Sequence, residues 1–164
     1  MDSKLFAVID TNVLVSALIS TNLATPPLIV IAHVYSGDIT PVFNDEIIRE
    51  YRDVLSREKF HLDPTDIDHA LQVFLDHGLN LDRTKVADET FSDPKDIVFY
   101  EVKMSKEDAY LVTGNTRHFP RKPFVITPRE MVDPLFLTCA RNRLDLRHRD
   151  EMSGSTSIFR QNIV

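Results

Sequence analysis

Short apolar runs alternate along this chain with longer stretches whose apolar positions recur at helical spacing, and residues that start or stop helices sit at the joins. Leu5 to Ile9 has the length and composition of a strand buried on both faces, and the Asp10-Thr11-Asn12 that follows consists of helix N-cap residue types. A strand, a turn and a helix over Val13 to Ile19 are therefore predicted. After the polar loop Ser20 to Thr25, Pro26-Pro27 opens a helix to about Tyr35, which Ser36-Gly37-Asp38 breaks. Ile39 to Phe43 repeats the strand, and Asn44 caps a helix from Asp45 to about Arg57. Asp63-Pro64-Thr65 starts a helix toward His77, with Gly78 expected as a left-handed C-cap. Val86 marks a short strand, and Ser92-Asp93-Pro94 opens a helix to about Met104. Ala109 to Thr113 and Phe124 to Ile126 read as strands, and Pro128 to Leu137 as a last helix.

Strands alternating with helices of this length predict an α/β fold with a central parallel sheet covered by helices on both faces. From Thr138 onward the pattern dissolves, and Ser153-Gly154-Ser155-Thr156-Ser157 reads as a flexible tail. The expected division is a domain over 1–137 and a partly basic extension over 138–164.

The 164 residues, 43% hydrophobic and 27% charged, suit one globular domain. No apolar run approaches the roughly 18 residues of a membrane span, and the first strand begins directly after Lys4, so a cytoplasmic protein without membrane contact is expected. Cys139, the single cysteine, excludes an internal disulfide and a thiolate zinc site. A net charge of −6 excludes coating nucleic acid by bulk electrostatics, so any such contact must be local or assisted by metal. Arg141, Arg143, Arg147, His148 and Arg149 run against that average, as a contact for nucleic acid or a partner, or as a solvated tail.

Ligands of open parallel sheets bind beyond the carboxyl ends of the strands, which directs attention to acids that follow apolar runs. Asp10 is the clearest, either as a helix cap, as a site residue, or as both. Glu50 borders the apolar stripe Ile47, Tyr51, Val54 and Leu55, whereas Glu46 and Asp53 lie farther toward solvent; a surface role for Glu50 stays open. Asp93-Pro94-Lys95-Asp96 has the form of an N-cap acid, a proline and a second acid at N3, and capping alone could explain both acids. The helix behind them is apolar around most of its circumference, which favours a site-facing Asp96. Asn115, just past the strand Ala109 to Thr113, meets Asp10 if the two strands are neighbours, and Thr113 can hydrogen-bond within the cluster. Asp108 belongs to the opposite end. Carboxylates gathered this way repel unless a cation lies among them, and hard ions such as Mg²⁺ or Mn²⁺ take oxygen ligands. Such an arrangement suits phosphodiester hydrolysis.

The segments Ala7 to Ala17, Asp45 to Tyr51, Asp93 to Glu101, Tyr110 to Asn115 and Thr127 to Met131 together resemble PIN domains, over roughly residues 4 to 137. The resemblance implies a three-layer fold, Mg²⁺ or Mn²⁺ dependence, and cleavage of single-stranded RNA, and it is nearest to toxins of toxin–antitoxin pairs, with an antitoxin protein as partner and a homodimer as a frequent state. Carried over residue by residue, Asp10, Glu50 and Asp96 match the family's three principal acids and metal ligands. Asn115 stands where a fourth, an Asp, is common, which leaves a second metal and full activity in question. No organic cofactor is implied. Arg117, His118 and Arg121 are candidate RNA contacts or ordinary loop solubility. The competing reading is a non-catalytic scaffold of the same fold that binds RNA or protein. A phosphatase of the haloacid dehalogenase type is disfavoured because Asn12 occupies its second acid's place, and a phosphoacceptor receiver domain because Asp10 stands alone after the first strand. His69 and His77 are too far apart on one helix for a zinc pair, and His33 and His61 form no pattern. Ile29, Val30 and Val34 either serve self-association or pack on their own sheet.

Overall fold

The computed structural model describes residues 4–157. The strands are β1 (Leu5–Ile9), β2 (Ile39–Phe43), β3 (Leu79–Asn80), β4 (Tyr110–Val112) and β5 (Val125–Ile126), and they form one parallel sheet in the order β3-β2-β1-β4-β5. The helices are α1 (Thr11–Ile19), α2 (Pro26–Ser36), α3 (Asp45–Leu55), α4 (Pro64–His77), α5 (Asp96–Ser105), α6 (Pro128–Met131) and α7 (Pro134–Ser157). α1, α2, α3 and α4 pack against one another, with α6 against α2, while α5 packs on β1, β2 and β4, giving the α/β layering that the apolar pattern predicts.

β1 and β2 lie where expected because each is a largely apolar run followed by a polar residue that leads into the next helix. Asn44 caps α3 by accepting the Ile47 N–H at 3.0 Å, and Asp63 accepts the Thr65 N–H at 2.8 Å at the start of α4. The core is continuous through Leu5, Ile9, Leu14, Val30, Val34, Ile47, Tyr51, Phe74 and Phe99. Val30 and Val34 are thus used up in the protein's own interior, which removes them as an argument for self-association.

Several expectations need correction. Gly78 is extended (φ −97°, ψ 179°) and not left-handed. Glycine is required there because a Cβ would lie 2.4 Å from the Phe43 ring, 2.5 Å from the Phe74 carbonyl and 2.7 Å from that of Pro41. Val86 is exposed loop; the short strand is instead Leu79–Asn80, paired with Val42 and Phe43. The helix expected from Asp93 begins at Asp96, so no capping box forms: the Asp93 carboxylate closes a turn by accepting the Lys95 N–H at 2.9 Å. The last helix divides at Asp133-Pro134. Its first piece, α6, has the Thr127/Glu130 capping box, and its second, α7, runs on to Ser157 through residues taken from sequence as a tail, helped by the helix-forming Leu and Arg positions along it. The side chains of His148, Arg149 and Ser153 to Ser157 lie outside the described residues. No helix among the described residues is long and apolar enough to cross a membrane.

Chain order explains where a site can form. From β1 the chain builds outward through β2 to β3, then returns to place β4 and β5 on β1's other side. The crevice at the carboxyl ends of β1 and β4 is therefore the topological switch point.

Candidate active site

Asp10 follows β1 directly, and its N–H donates to the Val112 carbonyl at 2.9 Å, continuing the ladder with β4. Its side chain makes no capping hydrogen bond to α1. It is only 6% exposed, and its Oδ2 accepts from Thr113 Oγ1 at 2.6 Å and from Asn12 Nδ2 at 2.9 Å. Thr113 in turn accepts the Asn115 N–H at 3.0 Å, and Asn12 accepts the Gly114 N–H at 3.0 Å. The two turns at the switch point are thereby locked together, with one Asp10 oxygen fully committed. Burial raises the Asp10 pKa, opposed by the Thr113 hydroxyl and the backbone amides of Thr11 and Asn12.

Asp96 reaches the same place from the first turn of α5. Its side chain is 13% exposed, and Oδ2 is buried without a hydrogen bond; His118 Nδ1 lies 3.4 Å away. Burial, and next the negative charge of Asp10, push its pKa up to about 6, with Asp93 and Glu50 adding to the rise and His118 opposing it. Freed from capping, this carboxylate lies in the field of other carboxylates in a largely buried setting, an unfavourable arrangement that His118 offsets only in part. Thr11 Oγ1 and Asp96 Oδ2 are the buried side-chain oxygens without a hydrogen bond among the described residues.

Glu50, half-buried on α3, borders a shallow cleft with Glu46, Arg83, Lys95 and Val98. Its position is set by its neighbour Tyr51, a residue that sequence reasoning placed only in the apolar stripe. The Tyr51 ring is buried edge-on against Phe74, with centroids 5.5 Å apart, and its hydroxyl donates to the Ile9 carbonyl, riveting α3 to the end of β1. Arg83 and Glu101 were also missed. Arg83 bridges Glu46 and the buried Glu101, each at 2.9 Å, and Glu101 accepts the Ala87 N–H at 2.8 Å, so the irregular segment before α5 is pinned beside Glu50. Burial of a Glu in the middle of an apolar helix was the available signal.

The Asn115 side chain makes no hydrogen bond to Asp10, and only its backbone enters the network. Phe119, 5% exposed, anchors the turn that carries Arg117 and His118, while Arg117 and Arg121 line an open cleft beside β5. Asp108 lies at the far end of β4, paired with Lys106. His69 stacks on Tyr35, and His33 pairs with Asp38 at 3.0 Å, so neither enters the site.

Among the described residues no three His, Cys, Asp or Glu side chains already form a cage for an ion. The donors present nevertheless fit a hard divalent cation: they are oxygens, the charge of Asp10 raises the Asp96 pKa, and a buried Asp96 oxygen accepts no hydrogen bond. Among known proteins, no curated sequence and no solved structure is significantly similar to this chain. The family model described as PIN domain, in contrast, matches residues 7–117, from β1 to the turn carrying Arg117. That stretch is more than half of the chain and holds Asp10, Glu50, Asp96 and Thr113, so the protein belongs to the PIN domain family, whose members are typically metal-dependent nucleases that bind nucleic acid.

Proposed function

We propose that this protein is a metal-dependent endoribonuclease acting on single-stranded RNA in the cytoplasm, with its catalytic domain over 1–137 and the segment 138–164 as an appendage. The observation that carries the reading is the buried Asp96 oxygen that accepts no hydrogen bond and lies in the field of Asp10, with the Asp96 pKa raised to about 6. Asp10 and Asp96 would hold Mg²⁺ or Mn²⁺, with Glu50 as a further ligand or as the group that positions water. When bound, the ion activates water and neutralises charge that develops on the phosphate oxygens.

The chain's own residues do the rest. Thr113 and Asn12 fix the Asp10 carboxylate, leaving its second oxygen for the site. Asn115 orients water through its amide. His118, beside Asp96, together with Arg117 and Arg121, holds the RNA backbone near the carboxylates, which a net charge of −6 would otherwise repel. In-line attack leaves a 5′-phosphate and a 3′-hydroxyl. The resemblance also supports a role as the toxin of a toxin–antitoxin pair, inhibited by a partner protein, and a homodimer.

A non-catalytic scaffold is the second reading, favoured by Asn115 in place of a fourth acid and by the absence of a ready three-ligand cluster among the described residues. Cleavage of end-labelled single-stranded RNA by the native protein and by Asp10→Asn, with Mn²⁺, Mg²⁺ or chelator, separates the two. Metal-dependent cutting that Asp10→Asn loses supports the nuclease. No cutting by either protein, with no rise in melting temperature on adding Mn²⁺, supports the scaffold.

A further inference from the structure

The active-site crevice leaves the basic run on α7 unexplained. At the amino ends of β4 and β5, away from that crevice, a cavity of about 210 Å³ opens between the last turns of α5 and the first half of α7. Lys103 lines it and is 4% exposed. Its ammonium donates to the Glu107 carbonyl at 3.0 Å and lies 4.1 Å from the centre of the Phe124 ring, so one carbonyl and one aromatic face stand in for its water. An ammonium has three N–H donors, which leaves capacity facing the cavity. Arg143 and Arg147 line the same space, and neither makes an ion pair or hydrogen bond with a described residue, whereas Arg141 turns away to Asp38 at 3.8 Å.

The walls therefore carry three cations against two carboxylates, Glu107 and Asp108, and Asp108 is already paired with Lys106. Burial lowers the Lys103 pKa, and the charges of Lys85 and Arg147 add to that effect while Asp108 and Glu107 oppose it. The two carboxylates offset part of this charge, and a positive surplus remains along the walls. The aromatic rings are engaged elsewhere, Phe124 with Lys103 and Tyr100, and Tyr110 edge-on with Phe136, which leaves no free face for a base.

We propose that this cavity is a second binding site, specific for a phosphate group, with Lys103 as its buried donor and the Arg143 and Arg147 guanidinium groups closing on the anion. Guanidinium forks match the oxygens of a phosphate, and a phosphate monoester dianion balances the surplus charge better than a carboxylate or a singly charged backbone phosphodiester does. The phosphate belongs either to a free small molecule or to an RNA backbone passing over α7. The site stands independently of the nuclease reading.

The test is thermal melting of the native chain and of the double variant Arg143→Ser/Arg147→Ser, with inorganic phosphate titrated against sodium chloride of equal ionic strength. Both arginines are exposed, so the variant keeps its fold, which circular dichroism checks. The expected result is a saturating rise in melting temperature with phosphate for the native protein, and a midpoint at least about tenfold higher for the variant. No saturating rise, or equal midpoints, overturns the proposal. Given the expected difference, binding of a fluorescent single-stranded RNA in chelator assigns the source. Weaker RNA binding by the variant and competition by phosphate identify the backbone, and unchanged binding identifies a free phosphate-bearing molecule.

Discussion

Replacing Asp96 by Asn should make the metal-free protein more stable while abolishing its proposed activity. The Asp96 pKa rises from its ordinary 3.8 to about 6 because burial and the neighbouring Asp10 disfavour its charged form. A rise of that size corresponds to ~3 kcal/mol against the folded state at neutral pH, and water reaching the partly open crevice reduces this to ~1–2 kcal/mol. Between pH 3.8 and about 6 the folded chain holds more protons at Asp96 than the unfolded chain does, so stability falls as pH rises through that window and levels off above it. The amide carries no charge and escapes this loss. In chelator at pH 7.5 the variant should melt ~3–6 °C above the native protein, with the gap closing as pH is lowered toward 4. Mn²⁺ should raise the melting temperature of the native protein and leave that of the variant unchanged. A variant no more stable than native at pH 7.5, or a gain that does not depend on pH, would refute the view of Asp96 as a desolvated carboxylate awaiting a cation.

Three other substitutions probe the supports of the site and of the fold. Thr113→Val keeps the shape of a fully buried residue but removes the hydroxyl that holds Asp10; denaturant unfolding should show a loss of ~1–2 kcal/mol, and Mn²⁺ titration weaker binding. Tyr51→Phe leaves the Ile9 carbonyl without its donor, for a similar loss of ~1–2 kcal/mol, and should lower RNA cleavage through displacement of Glu50; unchanged stability and cleavage would show that the rivet does not position α3. Gly78→Ala drives a methyl into the Phe43 ring and two carbonyls, and should cost about 2 kcal/mol or more in urea unfolding, a residue with no link to activity beyond the fold.

Sequence alone determined those features whose cause is local. The Leu5–Ile9 and Ile39–Phe43 strands, the caps at Asn44 and Asp63, and the placing of Asp10 immediately after a buried strand follow from apolar run length and from side chains that satisfy nearby amides. The candidates Asp10, Glu50 and Asp96 were legible as acids at the ends or borders of buried elements, and the structure sets them in one field, since Asp10 and Glu50 both raise the Asp96 pKa. What sequence could not supply depends on partners distant in the chain. A two-residue strand such as Leu79–Asn80 has no periodicity of its own and exists through pairing with Val42 and Phe43. The late start of α5, which releases Asp96 from capping, reflects a turn closed by Asp93 that the same four residues could equally have built as a helix start. Only the strand order brings Thr113 to Asp10, the Tyr51 hydroxyl to Ile9, and Lys103 into one cavity with Arg143 and Arg147. Hydrogen bonds and charge pairs of this kind act over a few ångströms in space and are indifferent to separation along the chain, so tertiary structure decides them.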